Sequence, residues 1–304
     1  MKNGYIVVSV ATLWTSPVHP RKIDSIALSH SVHIPTWLNQ MTTEERIWLI
    51  NQNAVQTQVL YGTRIKILKQ QDEWCYCLVP DQYTPKNEIG YPGWIPAKQI
   101  GFDPIFDQKY DSESIVSVMA NEAVLTTETK TLLTSYLTQL PLQKQTKDKV
   151  YVYLPTDLIG YFRQEDITVG SLNLLQANEK GEKIVKTAKQ FLGVPYLWSG
   201  MSSFAYDCSG LTYTVHKSCG ILIPRDASAQ YQVGKEKGLE IQRHELRSGD
   251  LMYFCQETGL IDHVGLYAGD GLMLHASNSN FHVKIEPLLE SKYAERFCGA
   301  IRFW

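Results

Sequence analysis

The feature that most constrains the fold is an internal repeat. Gly93-Trp94-Ile95 and Gly160-Tyr161-Phe162 stand 67 residues apart, counted from 93 to 160, and Ile100 and Ile167 keep the same offset. Lys149-Val150-Tyr151-Val152-Tyr153-Leu154-Pro155 likewise resembles the stretch from Trp74 to Pro80. An offset shared at several positions is what a duplicated structural unit leaves in a sequence. Both copies read as strands. Alternating apolar positions from Tyr61 to Leu68 predict a half-buried strand, Gln70-Gln71-Asp72-Glu73 a turn, and Trp74 to Val79 a second strand. Gly90-Tyr91-Pro92-Gly93-Trp94-Ile95-Pro96 is a Gly/Pro turn opening into a strand that Pro96 interrupts or ends, because proline cannot donate to a ladder.

Short strands joined by such turns predict two small SH3-like β-barrels, one over about residues 1–105 and one over about 106–175. Residues 20–55 are an insertion in the first, with a short helix near Thr42 to Ile50. The pattern changes at Asn178-Glu179-Lys180-Gly181, which reads as a polar linker. Beyond it Ile184, Val185, Ala188, Phe191 and Leu192 share one helical face, and Gly193 with Pro195 ends that helix. A separate C-terminal domain over about 180–304 follows, which makes the chain α+β. Its 304 residues are enough for two or three cores.

Bulk properties exclude several function classes. The chain carries 29 Lys and Arg against 31 Asp and Glu, so it lacks the basic excess that nucleic acid or an anionic membrane selects. No apolar run approaches the roughly 20 residues of a membrane span. The start, Met1-Lys2-Asn3-Gly4-Tyr5 and then Ile6 to Ala11, is too weakly apolar for a signal peptide, so a cytoplasmic location is expected. The alternative is a secreted or wall-associated protein deprived of a leader. The six cysteines show no spacing of a disulfide framework and are read as reduced, and a monomer is expected.

The chemistry lies in the C-terminal domain. In Tyr206-Asp207-Cys208-Ser209-Gly210-Leu211, Asp207 is a good N-cap and sets Cys208 in the first turn of a helix running through Val215. That position should shift the thiol towards thiolate. Downstream, Ser248 to Phe254, Asp262 to Tyr267 and Leu272 to Ala276 read as strands. A hairpin centred on Gly269 then sets His263 opposite His275, on one face. A thiol, a base and a group that holds the base's tautomer are what acyl transfer needs. His19, His30, His33, His216, His244 and His282 lack such a partner and read as ordinary surface or core residues. Cys, His and His can also hold zinc. However, no fourth ligand is spaced to close a structural site and no nearby Glu stands out as a zinc hydrolase's base, so neither metal nor cofactor is expected.

Several motifs in order carry a resemblance: Pro195-Tyr196-Leu197-Trp198-Ser199-Gly200, Asp207-Cys208-Ser209-Gly210-Leu211, Pro224-Arg225-Asp226, Gly249-Asp250-Leu251, Asp262-His263-Val264-Gly265-Leu266-Tyr267 and Leu274-His275-Ala276. Over about 180–304 the chain resembles the NlpC-type bacterial peptidases, papain-like enzymes that cut cell-wall peptides. With the two barrels, Tyr61-Gly62 and Gly90-Tyr91-Pro92-Gly93-Trp94, the whole chain looks like the γ-D-glutamyl-L-diamino acid endopeptidases that recycle murein peptides. The resemblance implies Cys208 as nucleophile, His263 as base and His275 as its orienting group. Tyr196 and the Cys208 amide would stabilise the oxyanion. It implies Trp198, Asp207, Ser209, Arg225 and Asp226 around the L-Ala-γ-D-Glu part of a substrate such as L-Ala-γ-D-Glu-diaminopimelate, Tyr91 reaching in from the first barrel, and acidic groups such as Asp207 pairing with the substrate ammonium. Gln56 stands where an acidic residue is expected from the subgroup. A secreted wall-remodelling hydrolase acting on intact peptidoglycan, a non-catalytic wall-peptide-binding protein and an acyltransferase on the same framework are the competing readings.

Overall fold

Strands β1 (Lys2–Ile6), β2 (Val10–Trp14), β3 (Val55–Leu60), β4 (Arg64–Gln71), β5 (Trp74–Val79), β6 (Tyr91–Pro96) and β7 (Ile100–Gly101) form one sheet in the order β3-β2-β6-β5-β4-β1-β7. Strands β8 (Ile115–Val118), β9 (Glu122–Thr126), β10 (Thr131–Ser135), β11 (Gln139–Gln145), β12 (Lys149–Leu154), β13 (Leu158–Arg163) and β14 (Ile167–Val169) form the next, in the order β10-β9-β13-β12-β11-β8-β14. The structure is a computed structural model that describes residues 1–156, 158–172, 177–237 and 239–304.

Adding seven to each strand number of the first sheet gives the order of the second, so the repeat in the sequence is a repeat of topology. Its shared glycine has a packing cause. A Cβ on Gly93 would come within 2.8 Å of the Leu13 side chain from β2, and one on Gly160 within 2.8 Å of Leu125 from β9. Each strand therefore crosses its neighbour's leucine at a distance only glycine permits. Strand β4 begins at Arg64 rather than Tyr61, because Gly62, at φ 77°, bends the chain out of the preceding strand.

The insertion between β2 and β3 holds the expected helix, α2 (Thr43–Asn51). The Thr42 hydroxyl accepts from the Glu45 amide at 3.3 Å and the Glu45 carboxylate from the Thr42 amide at 2.7 Å. It also holds α1 (Ile34–Gln40), which the sequence reading missed, and α3 (Pro104–Ser112) follows β7. Phe106 of α3 joins Val116, Leu140, Val150 and Phe162 in the core of the second barrel.

The chain divides into two compact units: residues 1–81, 89–171 and 201–205, and residues 82–88, 172–200 and 206–304. The connection between β5 and β6 thus belongs to the second unit. Met201–Ser202 (β15) lies in the first, and its partner β16 (Ala205–Tyr206) falls at the boundary. The second unit contains α4 (Ala177–Lys189), α5 (Cys208–Lys217) and α6 (Ala227–Glu236). They accompany an antiparallel sheet of β17 (Glu240–Ile241), β18 (Leu251–Cys255), β19 (Ile261–Gly269), β20 (Leu272–Ser277), β21 (His282–Pro287) and β22 (Phe297–Ile301), in the order β17-β22-β18-β19-β20-β21. Helix α5 is buried from Cys208 to His216 and packs on β19 and β20.

Two local readings of this region are corrected. Asn178 to Gly181 lie inside α4 and do not form a linker. Gly181, a residue typical of linkers, is instead a contact point, since a Cβ there would stand 2.3 Å from the Ser248 carbonyl oxygen. Ile184, Val185, Ala188 and Phe191 are buried, but Leu192 is 45% exposed, because the helix has ended and position 192 no longer follows its period.

Candidate active site

Asp207 sets the geometry of the site. Its Oδ1 accepts from the Gly210 amide at 2.6 Å, which caps α5 and makes Cys208 the first helical residue, 6% exposed. The same carboxylate is held by a buried Arg225, whose Nη2 donates to Oδ2 at 2.7 Å and whose Nη1 donates to the Ser209 hydroxyl at 2.8 Å. Ser209 Oγ in turn donates to Asp207 Oδ1 at 3.2 Å. Both oxygens of Asp207 are thus engaged within the protein.

The thiol departs from the expectation of a thiolate. Burial, and next the Asp207 carboxylate, push the Cys208 thiol up to about 12; the backbone amides of Val264 and Ser209 and the Arg225 charge pull the other way and do not prevail. Desolvation of an anion opposes the stabilisation that a helix N-terminus gives it. Burial thus favours the protonated thiol in the resting site.

The histidines meet by a different register from the one expected. Pairing His263 with His275 would set Leu266 opposite Leu272. Instead Leu266 lies opposite Leu274 and Tyr267 opposite Met273, with an irregularity before Gly269, a displacement of two residues. Two residues is one full side-chain period, so both rings stay on the same face as diagonal neighbours. His263 Nε2 and His275 Nδ1 are 2.7 Å apart, with both residues buried. Burial holds His263 well below the ordinary histidine range, helped by the charge that His275 would carry, and brings His275 down to about 4. Both rings are neutral at neutral pH.

Two residues absent from the sequence reading complete the site. Tyr293 stacks on His263 with ring centroids 4.2 Å apart and an interplanar angle of 10°. Glu286 of β21 places Oε1 2.9 Å from His275 Nε2. The alternation Val283, Lys284, Ile285, Glu286 is a strand signal, but nothing local pairs that strand with β20.

Tyr196 is buried, its ring edge-on to Phe281, and burial together with nearby Cys208 raises its phenol well above the ordinary range, so it remains an O–H donor. The Trp198 indole N–H is buried with no hydrogen-bond partner among the described residues. Asp226, 28% exposed, lies 3.3 Å from Lys86, and the Arg225 amide donates to the Tyr83 carbonyl at 2.9 Å. Tyr91 and Gln56 belong to the first unit. There Tyr91 is buried opposite Val79, and Gln56 donates to the Thr15 hydroxyl at 2.6 Å.

A buried thiol at the head of a helix, packed on an antiparallel sheet that carries a hydrogen-bonded pair of imidazoles, defines a papain-like cysteine hydrolase. The model described as "NlpC/P60 family" matches residues 193–302, and that described as "YKFC SH3b2 domain" matches 118–169. A gamma-D-glutamyl-L-lysine dipeptidyl-peptidase of Bacillus cereus is 37% identical, over 99% of this chain and 91% of its own. One of Bacillus subtilis is 36% identical, over 98% and 97%. The crystal structure of an NlpC/P60 family protein from Bacillus cereus superposes with a TM-score of 0.94 at 37% identity, covering 99% of both chains. The chain belongs to the NlpC/P60 family and is a cysteine peptidase.

Proposed function

We propose that the enzyme cleaves the γ-D-Glu–L-diamino acid bond, to diaminopimelate or Lys, of peptidoglycan-derived peptides bearing a free N-terminal L-Ala, as a step in recycling them. Similarity over nearly the whole chain to two gamma-D-glutamyl-L-lysine dipeptidyl-peptidases supports the bond. The observation that carries the chemistry is the 2.7 Å contact between His263 Nε2 and His275 Nδ1 in the unit that holds Cys208.

In this reading His263 has one nitrogen committed to His275, and Nδ1 takes the thiol proton as Cys208 Sγ attacks the γ-carbonyl carbon. With burial favouring the thiol, proton transfer accompanies attack, as in general-base catalysis. The Cys208 amide, which has no intrahelical acceptor at this position, and the Tyr196 O–H receive the oxyanion. Collapse of the tetrahedral intermediate breaks the C–N bond, and the proton on His263 passes to the departing amine. Water, deprotonated by the same nitrogen, then hydrolyses the thioester. Trp198, Asp207, Ser209, Arg225 and Asp226 surround the L-Ala-γ-D-Glu portion. Acidic groups there pair with the substrate ammonium, Asp207 being held by Arg225 and Asp226 by Lys86.

The test is incubation with free L-Ala-γ-D-Glu-diaminopimelate and its Lys counterpart, with products identified by mass spectrometry. Release of L-Ala-γ-D-Glu is expected, and its loss in Cys208→Ala. Cleavage at another bond, or turnover by that variant, overturns the reading.

A further inference from the structure

We propose that Glu286 is a positioning residue of this reaction: by accepting the N–H of His275 Nε2 it sets the tautomers of both imidazoles and leaves the basic lone pair on His263 Nδ1. The inference deepens the reading above and rests on it.

The argument is a count of protons along one chain of contacts. Glu286 Oε1 lies 2.9 Å from His275 Nε2, and Oε2 receives Lys284 Nζ at 2.7 Å. A carboxylate accepts and does not donate, so His275 Nε2 carries a hydrogen. A neutral imidazole has one N–H, which leaves His275 Nδ1 bare. It faces His263 Nε2 at 2.7 Å, and two bare nitrogens at that distance repel, so His263 Nε2 carries the hydrogen. The single nitrogen left without a proton is His263 Nδ1. Two imidazoles alone could donate in either direction along the same contact. The carboxylate at the end of the chain removes that ambiguity, as an outer partner does for a metal-bound histidine.

The sheet holds Glu286 in place. In the β20–β21 ladder His275 lies opposite Lys284 and Met273 opposite Glu286, so Glu286 is a diagonal neighbour of His275. Lys284 Nζ is itself anchored on Asn280 Oδ1 at 2.8 Å. The Glu286 side chain is 22% exposed, whereas the His275 side chain is fully buried. The carboxylate therefore stands at the rim and directs a bond into the core.

Lys284 makes the proposal testable in a way that a structural role does not. In Glu286→Gln the ammonium, which only donates, keeps the amide oxygen, and the NH2 turns to His275 Nε2. Donation along the chain reverses and His263 acquires its proton on Nδ1. The expected result is a loss of about tenfold or more in kcat with KM within about twofold, worth about 1.4 kcal/mol of barrier. 15N spectra of the imidazoles should show the proton moved from His263 Nε2 to Nδ1. Adding Lys284→Ala frees the amide oxygen to face His275, and should restore the wild-type tautomer and most of the kcat lost in the single variant. A Glu286→Gln protein that keeps its proton on His263 Nε2 overturns the hold of Glu286, whatever its activity. A reversed tautomer with undiminished kcat overturns instead the assignment of His263 as base. A loss that Lys284→Ala does not relieve, with tautomers unchanged, reduces Glu286 to a packing role and overturns the proposal.

Discussion

Arg225 Nη2 donates to Asp207 Oδ2 at 2.7 Å, and the two side chains are only 2% and 7% exposed. Asp207 lies immediately before the nucleophile in the sequence and caps its helix, so the pair fixes the backbone that presents Cys208. Removing one partner of such a pair leaves the other charged and buried, which typically costs about 3–5 kcal/mol. Arg225→Met, which keeps much of the volume, is expected to lose about that much in urea unfolding monitored by circular dichroism. Adding Asp207→Asn should recover part of it, since an amide oxygen can still cap Gly210. A single variant within about 1 kcal/mol of wild type would show that the pair is solvated in solution.

The raised Cys208 thiol predicts how the enzyme is alkylated. Thiolate is the reactive form, so with the group pushed up to about 12 its population grows by about tenfold per pH unit through neutrality. The rate of inactivation by iodoacetamide should climb steadily from pH 7 to pH 10, with the adduct that tracks lost activity mapped to Cys208. A rate constant flat between pH 6 and pH 8 would show a preformed thiolate–imidazolium pair. Activity that survives EDTA separates this thiol chemistry from a zinc site.

His263 and His275 should differ in what their loss costs. An orienting group is partly replaceable by water, and a proton acceptor is not. His263→Ala is expected to lower kcat further than His275→Ala, and His275→Asn should lie above both, because its amide oxygen can accept from His263 Nε2. Steady-state kinetics on the released tripeptide decides it. Equal losses for the two alanine variants would remove the distinction in roles.

What the sequence revealed about the fold and the site was governed by distance along the chain. The Asp207 cap is a bond to a residue three positions on, so the start of α5 was legible from Asp207-Cys208-Ser209-Gly210 alone. The barrel repeat was legible because Gly93 and Gly160 meet the same leucine contact in each copy. The hairpin register was misread by one side-chain period, since the irregularity between Tyr267 and Gly269 leaves no trace in composition. Glu286 and Tyr293 escaped because their approach to the histidines is tertiary. The burial that opposes the Cys208 thiolate escaped for a related reason: the helix terminus is a local property, whereas burial belongs to the whole fold.

The buried histidines also predict how stability depends on pH. His275 and His216 are brought by burial from about 6.5 to about 4, and burial holds His263 well below the ordinary range. Around His275 the Lys284 and Lys292 charges act in the same direction, and Glu286 opposes them. The unfolded chain takes up protons near pH 6.5, and the folded chain refuses them until the pH is far lower. In that window the unfolded state binds more protons, so stability increases with pH. The contribution is complete above about pH 6.5 and is lost as the pH falls towards 4, by on the order of 3 kcal/mol each for His275 and His216 at the lower end. Between pH 6.5 and pH 5 few carboxylates titrate, which isolates the histidines. Urea unfolding at half-unit steps should show the free energy declining through that interval, and His275→Asn should make the decline shallower. A free energy constant from pH 7 to pH 5, or a slope that His275→Asn leaves unaltered, would show that these rings are protonated within the folded protein.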